Sequence, residues 1–280
     1  MAARQAAVLG SPIEHSLSPV LHAAAYRELG LSDWTFSRVR CEADELPGFV
    51  DGLGPEWAGL AVTMPGKRAA LAHAVERTRV AELVGAANTL VPRAAGGWLA
   101  DCTDVEGIVG SLRAAGGVQG GRAVVLGAGG TATAALTALE ALEIPSATIV
   151  VRDPLRAGEA LACAERVGID VELVRWDAVD FATLCGGAEL VVSTVPVGAV
   201  EPVAGDIVRA GCVFDVIYHP WPTPLAQAAG ERGTRLVTGL DMLLHQAFAQ
   251  VQWFTGQPAP RAAMRLALRS ATGNHLPLPV

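Results

Sequence analysis

The chain has 280 residues, more than one hydrophobic core usually organises, and at 51 % apolar it can bury two sizeable cores. A net charge of −7, with no long basic run, excludes the phosphate-neutralising stripe that a nucleic-acid partner needs. The five cysteines (Cys41, Cys102, Cys163, Cys185, Cys212) are scattered and contain no C-x-x-C pair, which excludes a zinc site or disulfide framework and fits a reducing cytoplasm.

The residues before Gly10 lack the charged start and apolar run of a signal peptide. From there, strand-like and helix-like runs alternate, the pattern of an α/β protein with mainly parallel sheets. Ala6–Leu9 reads as a strand, Ser18–Leu29 as a helix, Trp34–Val39 as a strand, Asp44–Leu53 as a helix and Gly59–Val62 as a strand. Pro65 is then expected at the first position of a helix, where its missing N–H costs nothing. Strands are expected at Ala123–Leu126, Ala147–Val151, Val171–Val174, Leu190–Ser193 and Val213–Val216, the cadence of a nucleotide-binding sheet. Ala123–Leu139 is uncharged and almost membrane-spanning in length, but its Ala, Gly and Thr content reads as strand, turn and helix, so no membrane partner is expected. Two helices close the chain, Gly239–Phe254 and Pro260–Ala271.

The run Val124–Ala132 carries a G-x-G-x-x-A turn formed by Gly127, Ala128, Gly129, Gly130, Thr131 and Ala132. Gly127 permits the turn, Gly129 lets backbone approach a pyrophosphate, and Ala132 lets the helix lie close to the strand. The free N–H groups of the helix start then face the phosphates. After the next strand stand Arg152, Asp153 and Arg156. A 2′-phosphate roughly 5 Å from Asp153 is repelled by about 3 kcal/mol at an effective dielectric of 20, which two arginines at that distance offset. NADP is therefore expected, with NAD left open by Asp153.

Polar groups interrupt the apolar runs of the first part. Ser16 and Ser18 precede a helix and read either as caps or as a carboxylate seat. Lys67 in a first helical turn opposes the helix dipole, which suits a functional lysine of depressed pKa better than stability. Asn88 interrupts a strand of small residues, Gly85–Leu90, and Asp101–Glu106 places acids at a helix start that Thr103 or Asp104 could simply cap. Gln246 lies in the apolar tail helix, where a glutamine ordinarily marks the wet edge.

Taken in order, these elements resemble the shikimate dehydrogenase family along nearly the whole chain. Gly10–His22 is similar to G-x-P-I-x-H-S-x-S-P-x-x-H, Val62–Lys67 to V-T-x-P-x-K, Gly85–Leu90 to G-A-x-N-T and Asp101–Asp104 to D-N-T-D. Asp215–Leu225 and Gly239–Gln246 resemble D-x-x-Y-x-P-x-x-T-P-L and G-x-x-M-L-x-x-Q. The resemblance implies a substrate-binding domain of residues 1–103 plus 238–280 and a Rossmann-type domain of residues 104–237. It also implies reversible, NADPH-dependent reduction of 3-dehydroshikimate, in a cytoplasmic monomer or homodimer. Ser16 and Ser18 would hold the substrate carboxylate with Tyr218 nearby, Thr63, Asn88 and Gln246 the ring hydroxyls, and Lys67 and Asp104 the reacting oxygen. Ser193, Thr194 and Gly239 would join the glycine turn and Arg152, Asp153 and Arg156 around the cofactor. Cys102, Ala23 and Ser193 stand where the family usually has Asn. Quinate or an amino-substituted ring with NAD is the nearest alternative; a ligand-sensing Rossmann protein without catalysis and a folate-type dehydrogenase are more distant ones.

Overall fold

A computed structural model describes residues 3–118 and 120–280. They form two compact units, one comprising the chain to Gly107 with Leu243–Val280, the other Ile108–Met242.

The first unit is built from β1 (Arg4–Gly10), α1 (Ser18–Glu28), β2 (Trp34–Arg40), α2 (Leu46–Asp51), β3 (Trp57–Val62), α3 (Lys67–His73), β4 (Glu76–Arg77), α4 (Arg79–Val84), β5 (Thr89–Pro92), β6 (Trp98–Asp101) and the start of α5 (Asp104–Ala114). Its sheet has the order β2-β1-β3-β5-β6-β4. The sheet is mixed: β5 runs antiparallel to both β3 and β6, while the remaining pairs are parallel. Strands β1 and β3 are central and bury nearly continuous apolar runs, whereas β2 is an edge and carries alternating, exposed residues. Pro65 does not open α3, whose first residue is Lys67; Met64 to Gly66 form a turn instead, closed by Gly66 N–H donating to the Thr63 carbonyl. Asn88 lies in the loop just before β5 rather than inside a strand.

The second unit continues with β7 (Arg122–Leu126), α6 (Gly130–Ala141), β8 (Ser146–Val151), α7 (Gly158–Val167), β9 (Asp170–Arg175), α8 (Phe181–Gly186), β10 (Leu190–Ser193), α9 (Val197–Val200), α10 (Ala204–Ile207), β11 (Cys212–Asp215), α11 (Pro224–Arg232), β12 (Arg235–Thr238) and the opening of α12 (Gly239–Thr255). All six strands are parallel in the order β12-β11-β10-β7-β8-β9. This is the doubly wound order, and the chain reverses direction of growth between β7 and β10. Coverage on both faces explains why β7, β8, β10 and β11 read as nearly unbroken apolar runs, whereas the edge strand β9 alternates charged and apolar residues.

From Leu243 onward α12 belongs to the first unit, followed by α13 (Arg261–Ala271), which packs on α1. Phe254 of α12 joins Ala6 and Ala58 in the core. Among the described residues, no helix is long and apolar enough to cross a membrane, and no group of side chains could hold a metal ion.

Candidate functional site

The starts of α3 and α5, the loop before β5 and the helix α12 meet in one polar cluster of the first unit. Lys67 is the first residue of α3, and Asp104 is the first residue of α5. Lys67 Nζ lies 2.5 Å from Asp104 Oδ2, with both side chains largely withdrawn from solvent. Burial disfavours the Lys67 ammonium, but the Asp104 carboxylate outweighs that and holds its pKa above the ordinary lysine value. The lysine pKa is thus raised rather than depressed as its place at a helix start implied, because the carboxylate of Asp104 stands beside it. Next to the pair, burial and then the Asp104 charge push the Cys102 thiol upward, so it stays protonated.

Asn88 governs the other carboxylate oxygen. Its Nδ2 donates to Asp104 Oδ1 at 2.8 Å and reaches Gln246 Oε1 at 3.4 Å. Its Oδ1 accepts from Thr103 N–H at 2.8 Å, from Thr103 Oγ1 at 3.1 Å and from Thr89 Oγ1 at 2.8 Å. A backbone N–H can only donate, so the orientation of this amide is fixed. Thr103 therefore directs its hydroxyl to Asn88 and to Gln246 Oε1 (3.3 Å) rather than to a helix cap. Gln246 is buried, not at a wet edge, and its Nε2 donates to the Leu243 carbonyl. Both oxygens of Asp104 are thus engaged, while Lys67 keeps further N–H donors for a ligand.

Thr63 follows β3, half-buried, with its N–H donating to the Leu9 carbonyl at 2.8 Å. Its methyl approaches the end of β1 so closely that a Cβ on Gly10 would stand 2.4 Å from it, which demands glycine there. Ser18 is the first residue of α1; the cap position is Leu17, and no side chain caps the helix. Ser16 Oγ accepts a long 3.4 Å bond from Ser18 N–H, and its carbonyl accepts two bonds from the Arg38 guanidinium, at 2.9 and 2.6 Å. Neither serine therefore occupies the cap position of α1.

The second unit has its own candidate site at the switch point between β7 and β10. Gly127 has φ +105°, and its Cβ would meet Thr194 Oγ1 at 2.5 Å. Thr194 donates through both N–H and Oγ1 to the Leu126 carbonyl, at 3.0 and 2.8 Å, which fastens the loop after β10 to the glycine turn. Ala128 is half-buried within the turn, and Gly129 is the N-cap of α6 and offers no side chain to its first N–H groups. The spaces above Gly129 and Gly130 are open, Thr131 is half-buried, and Ala132 is fully buried against the sheet. A diphosphate fits these requirements: open backbone, free N–H groups and a helix N-terminus. The Ser193 hydroxyl is buried and finds no partner among the described residues.

Arg152 and Arg156 are exposed beyond β8. Asp153 between them is exposed too, accepting from Leu155 N–H at 3.0 Å and capping the short turn Pro154–Arg156. It also lies in the field of Arg175 on the next strand. Tyr218 sits in the loop after β11, half-buried, with its phenol pKa raised by burial. That loop is fastened at its base, where Thr223 Oγ1 donates to Asp215 Oδ2 at 2.7 Å and Ile217 N–H to Oδ1 at 3.2 Å. Gly239 faces the same loop: a Cβ there would meet the Val216 carbonyl at 2.0 Å and the Tyr218 ring at 2.8 Å.

Residues 8–90 match the family model described as the shikimate dehydrogenase substrate binding domain. Residues 239–269 match the one described as the shikimate 5′-dehydrogenase C-terminal domain. A shikimate dehydrogenase (NADP(+)) of Thermosynechococcus vestitus is 36 % identical over 277 residues, 95 % of each chain. The crystal structure of the Mycobacterium tuberculosis shikimate dehydrogenase is 50 % identical, with a TM-score of 0.90 over 95 % of this chain and 99 % of that one. A Thermus thermophilus shikimate 5-dehydrogenase, solved in complex with NADP(H) and shikimate, is 30 % identical with a TM-score of 0.79, over 96 % of this chain and 99 % of that one.

Proposed function

Because the chain belongs to the shikimate dehydrogenase family, we propose that it catalyses the reversible, NADPH-dependent reduction of 3-dehydroshikimate to shikimate. The observation that carries this reading is the Lys67–Asp104 pair, with Asn88 holding the second carboxylate oxygen. NADPH supplies the hydride when bound; everything else falls to the side chains. Lys67 Nζ donates a hydrogen bond to the C3 oxygen of the substrate and passes it the proton that completes the hydroxyl. Asp104 holds the ammonium in place and sustains its charge until that proton moves. Ser16 and Ser18 bind the ring carboxylate, Thr63, Asn88 and Gln246 bind the remaining hydroxyls, and Tyr218 is a further substrate-binding residue.

The cofactor seat comprises the turn Gly127–Ala132, the loop residues Ser193 and Thr194, and Gly239. Arg152 and Arg156 take the 2′-phosphate, since Asp153 is already engaged with its own backbone. The five described cysteines are all free and buried, which supports a reducing, cytoplasmic setting.

The test is a nicotinamide absorbance assay in which shikimate and quinate are each offered with NADP⁺ and with NAD⁺. The expected result is a kcat/KM that favours shikimate with NADP⁺. Asp153 keeps a second reading in view, a quinate- or aminoshikimate-type enzyme using NAD, and a preference for NAD⁺ would select it. Folded protein that binds cofactor and turns over nothing would sink both.

A further inference from the structure

The polar network behind the Lys67–Asp104 pair does not stop at the residues assigned above. It continues to Gln250, four residues after Gln246 and so on the same face of α12. Gln250 is 1 % exposed. Burying a primary amide costs a helix face that leucine or methionine could fill, unless the amide has hydrogen-bonding partners. Gln250 Nε2 has two: the Asn88 carbonyl at 3.2 Å and Thr89 Oγ1 at 3.1 Å.

The chemistry of these partners fixes the direction of every bond. A carbonyl oxygen only accepts, so the nitrogen end of Gln250 must face Asn88. Thr89 Oγ1, bonded to the same nitrogen, must then accept as well, and its one proton is left for another acceptor. Asn88 Oδ1, 2.8 Å away, receives it in preference to Thr103 Oγ1 at 3.4 Å. With Thr103 N–H also donating to that oxygen, Asn88 can only present Nδ2 to Asp104.

We propose that Gln250 is a positioning residue of the reaction: by directing the Thr89 hydroxyl to Asn88 Oδ1, it adds to the Thr103 N–H in holding the Asn88 amide with nitrogen toward Asp104, and so keeps the carboxylate aligned with Lys67. The inference rests on the dehydrogenase reading for the roles of Asp104 and Lys67. Gln250 hydrogen-bonds the Asn88 carbonyl and Thr89, and it acts on Asp104 and Lys67 through them.

Gln250→Met keeps the volume and removes the donor. Its kcat/KM for shikimate should fall about three- to tenfold, the size of one neutral hydrogen bond, while the KM for NADP⁺ stays unchanged. Gln250→Glu places an acceptor against the Asn88 carbonyl and should do worse. In a Thr89→Val background, Gln250→Met should add less than about twofold, since the hydroxyl it directs is gone. A readout independent of turnover is hydrogen exchange of the Asn88 side-chain amide followed by ¹⁵N NMR. Exchange should be about tenfold faster in Gln250→Met than in the unaltered protein, because opening of the amide becomes easier.

Should Gln250→Met not fold, Thr89→Val carries the same test, with Thr89→Ser as the rescue that restores both exchange protection and kcat/KM. Additive losses in the double mutant, or unchanged Asn88 exchange in either variant, would overturn the proposal. An unaltered protein that oxidises no shikimate would instead overturn the dehydrogenase reading and any part of Gln250 in that reaction; the exchange comparison would still decide whether Gln250 directs the Asn88 amide.

Discussion

A lysine at the first position of a helix, paired with an aspartate at the first position of another, is a costly arrangement for two isolated helices. Lys67 opposes the dipole of α3 while Asp104 favours that of α5, and both charges are drawn out of water. The pair makes sense if the ammonium has to face a substrate oxygen. Lys67→Ala should therefore lower kcat at least about a hundredfold with a much smaller change in KM, measured in steady-state assays. Equal effects on both constants would count against a role in proton transfer.

His22 is a different kind of buried group, stacked on Phe36 with ring centroids 3.9 Å apart and with neither ring nitrogen hydrogen-bonded among the described residues. Burial lowers its pKa to about 3, opposed by the Gln250 side chain. Because the folded-state pKa lies below the unfolded value of 6.5, its contribution to stability is present above pH 6.5 and is lost as pH falls toward 3. The loss approaches about 1.4 kcal/mol per pH unit within that window. His22→Phe keeps the stack and removes the titration, so its denaturant midpoint should fall less steeply between pH 6 and pH 4 (roughly that window) than the unaltered protein's.

Residues such as Lys67, Asn88 and Gln246 could be singled out from the sequence because each breaks a local rule: a cation at a helix start, an amide among small residues, a polar group on an apolar face. Thr89, Thr103 and Gln250 break none conspicuously. Threonine suits a strand or a cap, and nothing local tells a network glutamine from one at a helix edge. Only the meeting of β5, α5 and α12 gives them partners.

At the scale of elements, the glycine turn between β7 and α6 shows how one backbone conformation serves a site. Gly127 combines a φ of +105° with the close approach of Thr194, which itself hangs from the Leu126 carbonyl. Gly127→Ala should cost about 2 kcal/mol from the disallowed φ, with the displacement of Thr194 adding to it. Chemical denaturation would read the stability loss, and calorimetric titration with NADP⁺ should show weakened binding; a variant equal to the unaltered protein in both would contradict the tight packing at this turn. The strands flanking the turn were legible because both their faces are covered and their residues are uniformly apolar. Strand β4 was not: Glu76–Arg77 is two residues long and exposed, too short to display any period. The β5–β6 hairpin escaped for a related reason, since its turn at Gly96 and Gly97 closes strands of only four residues. Missing it also hid the antiparallel pairing that makes the first sheet mixed.

For the whole molecule, the α/β class followed from alternation alone, and the doubly wound order of the second sheet is what an apolar strand–glycine turn–helix cadence leads one to expect. Strand order in the first sheet could not be read, because its pairings depend on residues far apart in sequence. The second unit has its own parallel sheet and its own core around Val124, Val191, Val213 and Leu225. A chain limited to residues 104–242 should accordingly fold and bind NADP⁺ by calorimetry while showing no affinity for shikimate. Failure to fold would mean that its core depends on the rest of the chain, and shikimate binding by this fragment would displace the carboxylate seat from Ser16 and Ser18.

The first unit is discontinuous, because Gln246, Gln250, Trp253 and Phe254 reach it from the far end of the chain. On the ribosome, where synthesis proceeds from the N-terminus, β1 to β6 emerge long before the helix that closes over them. Asp101 can bond Thr78 early, but its second oxygen must wait for the Trp253 indole N–H, and Asn88 must wait for both glutamines. The nascent sheet therefore leaves the tunnel with an uncovered apolar face, while the second unit has all six of its strands before α12 is complete. Translational arrest or proteolysis shortly after β12 would yield a species with a finished nucleotide fold and an unfinished substrate fold. Such a species offers quality-control proteases and chaperones a sticky half to grip, so losses at the C-terminal end should be felt first as shortage of protein and only then as weak catalysis.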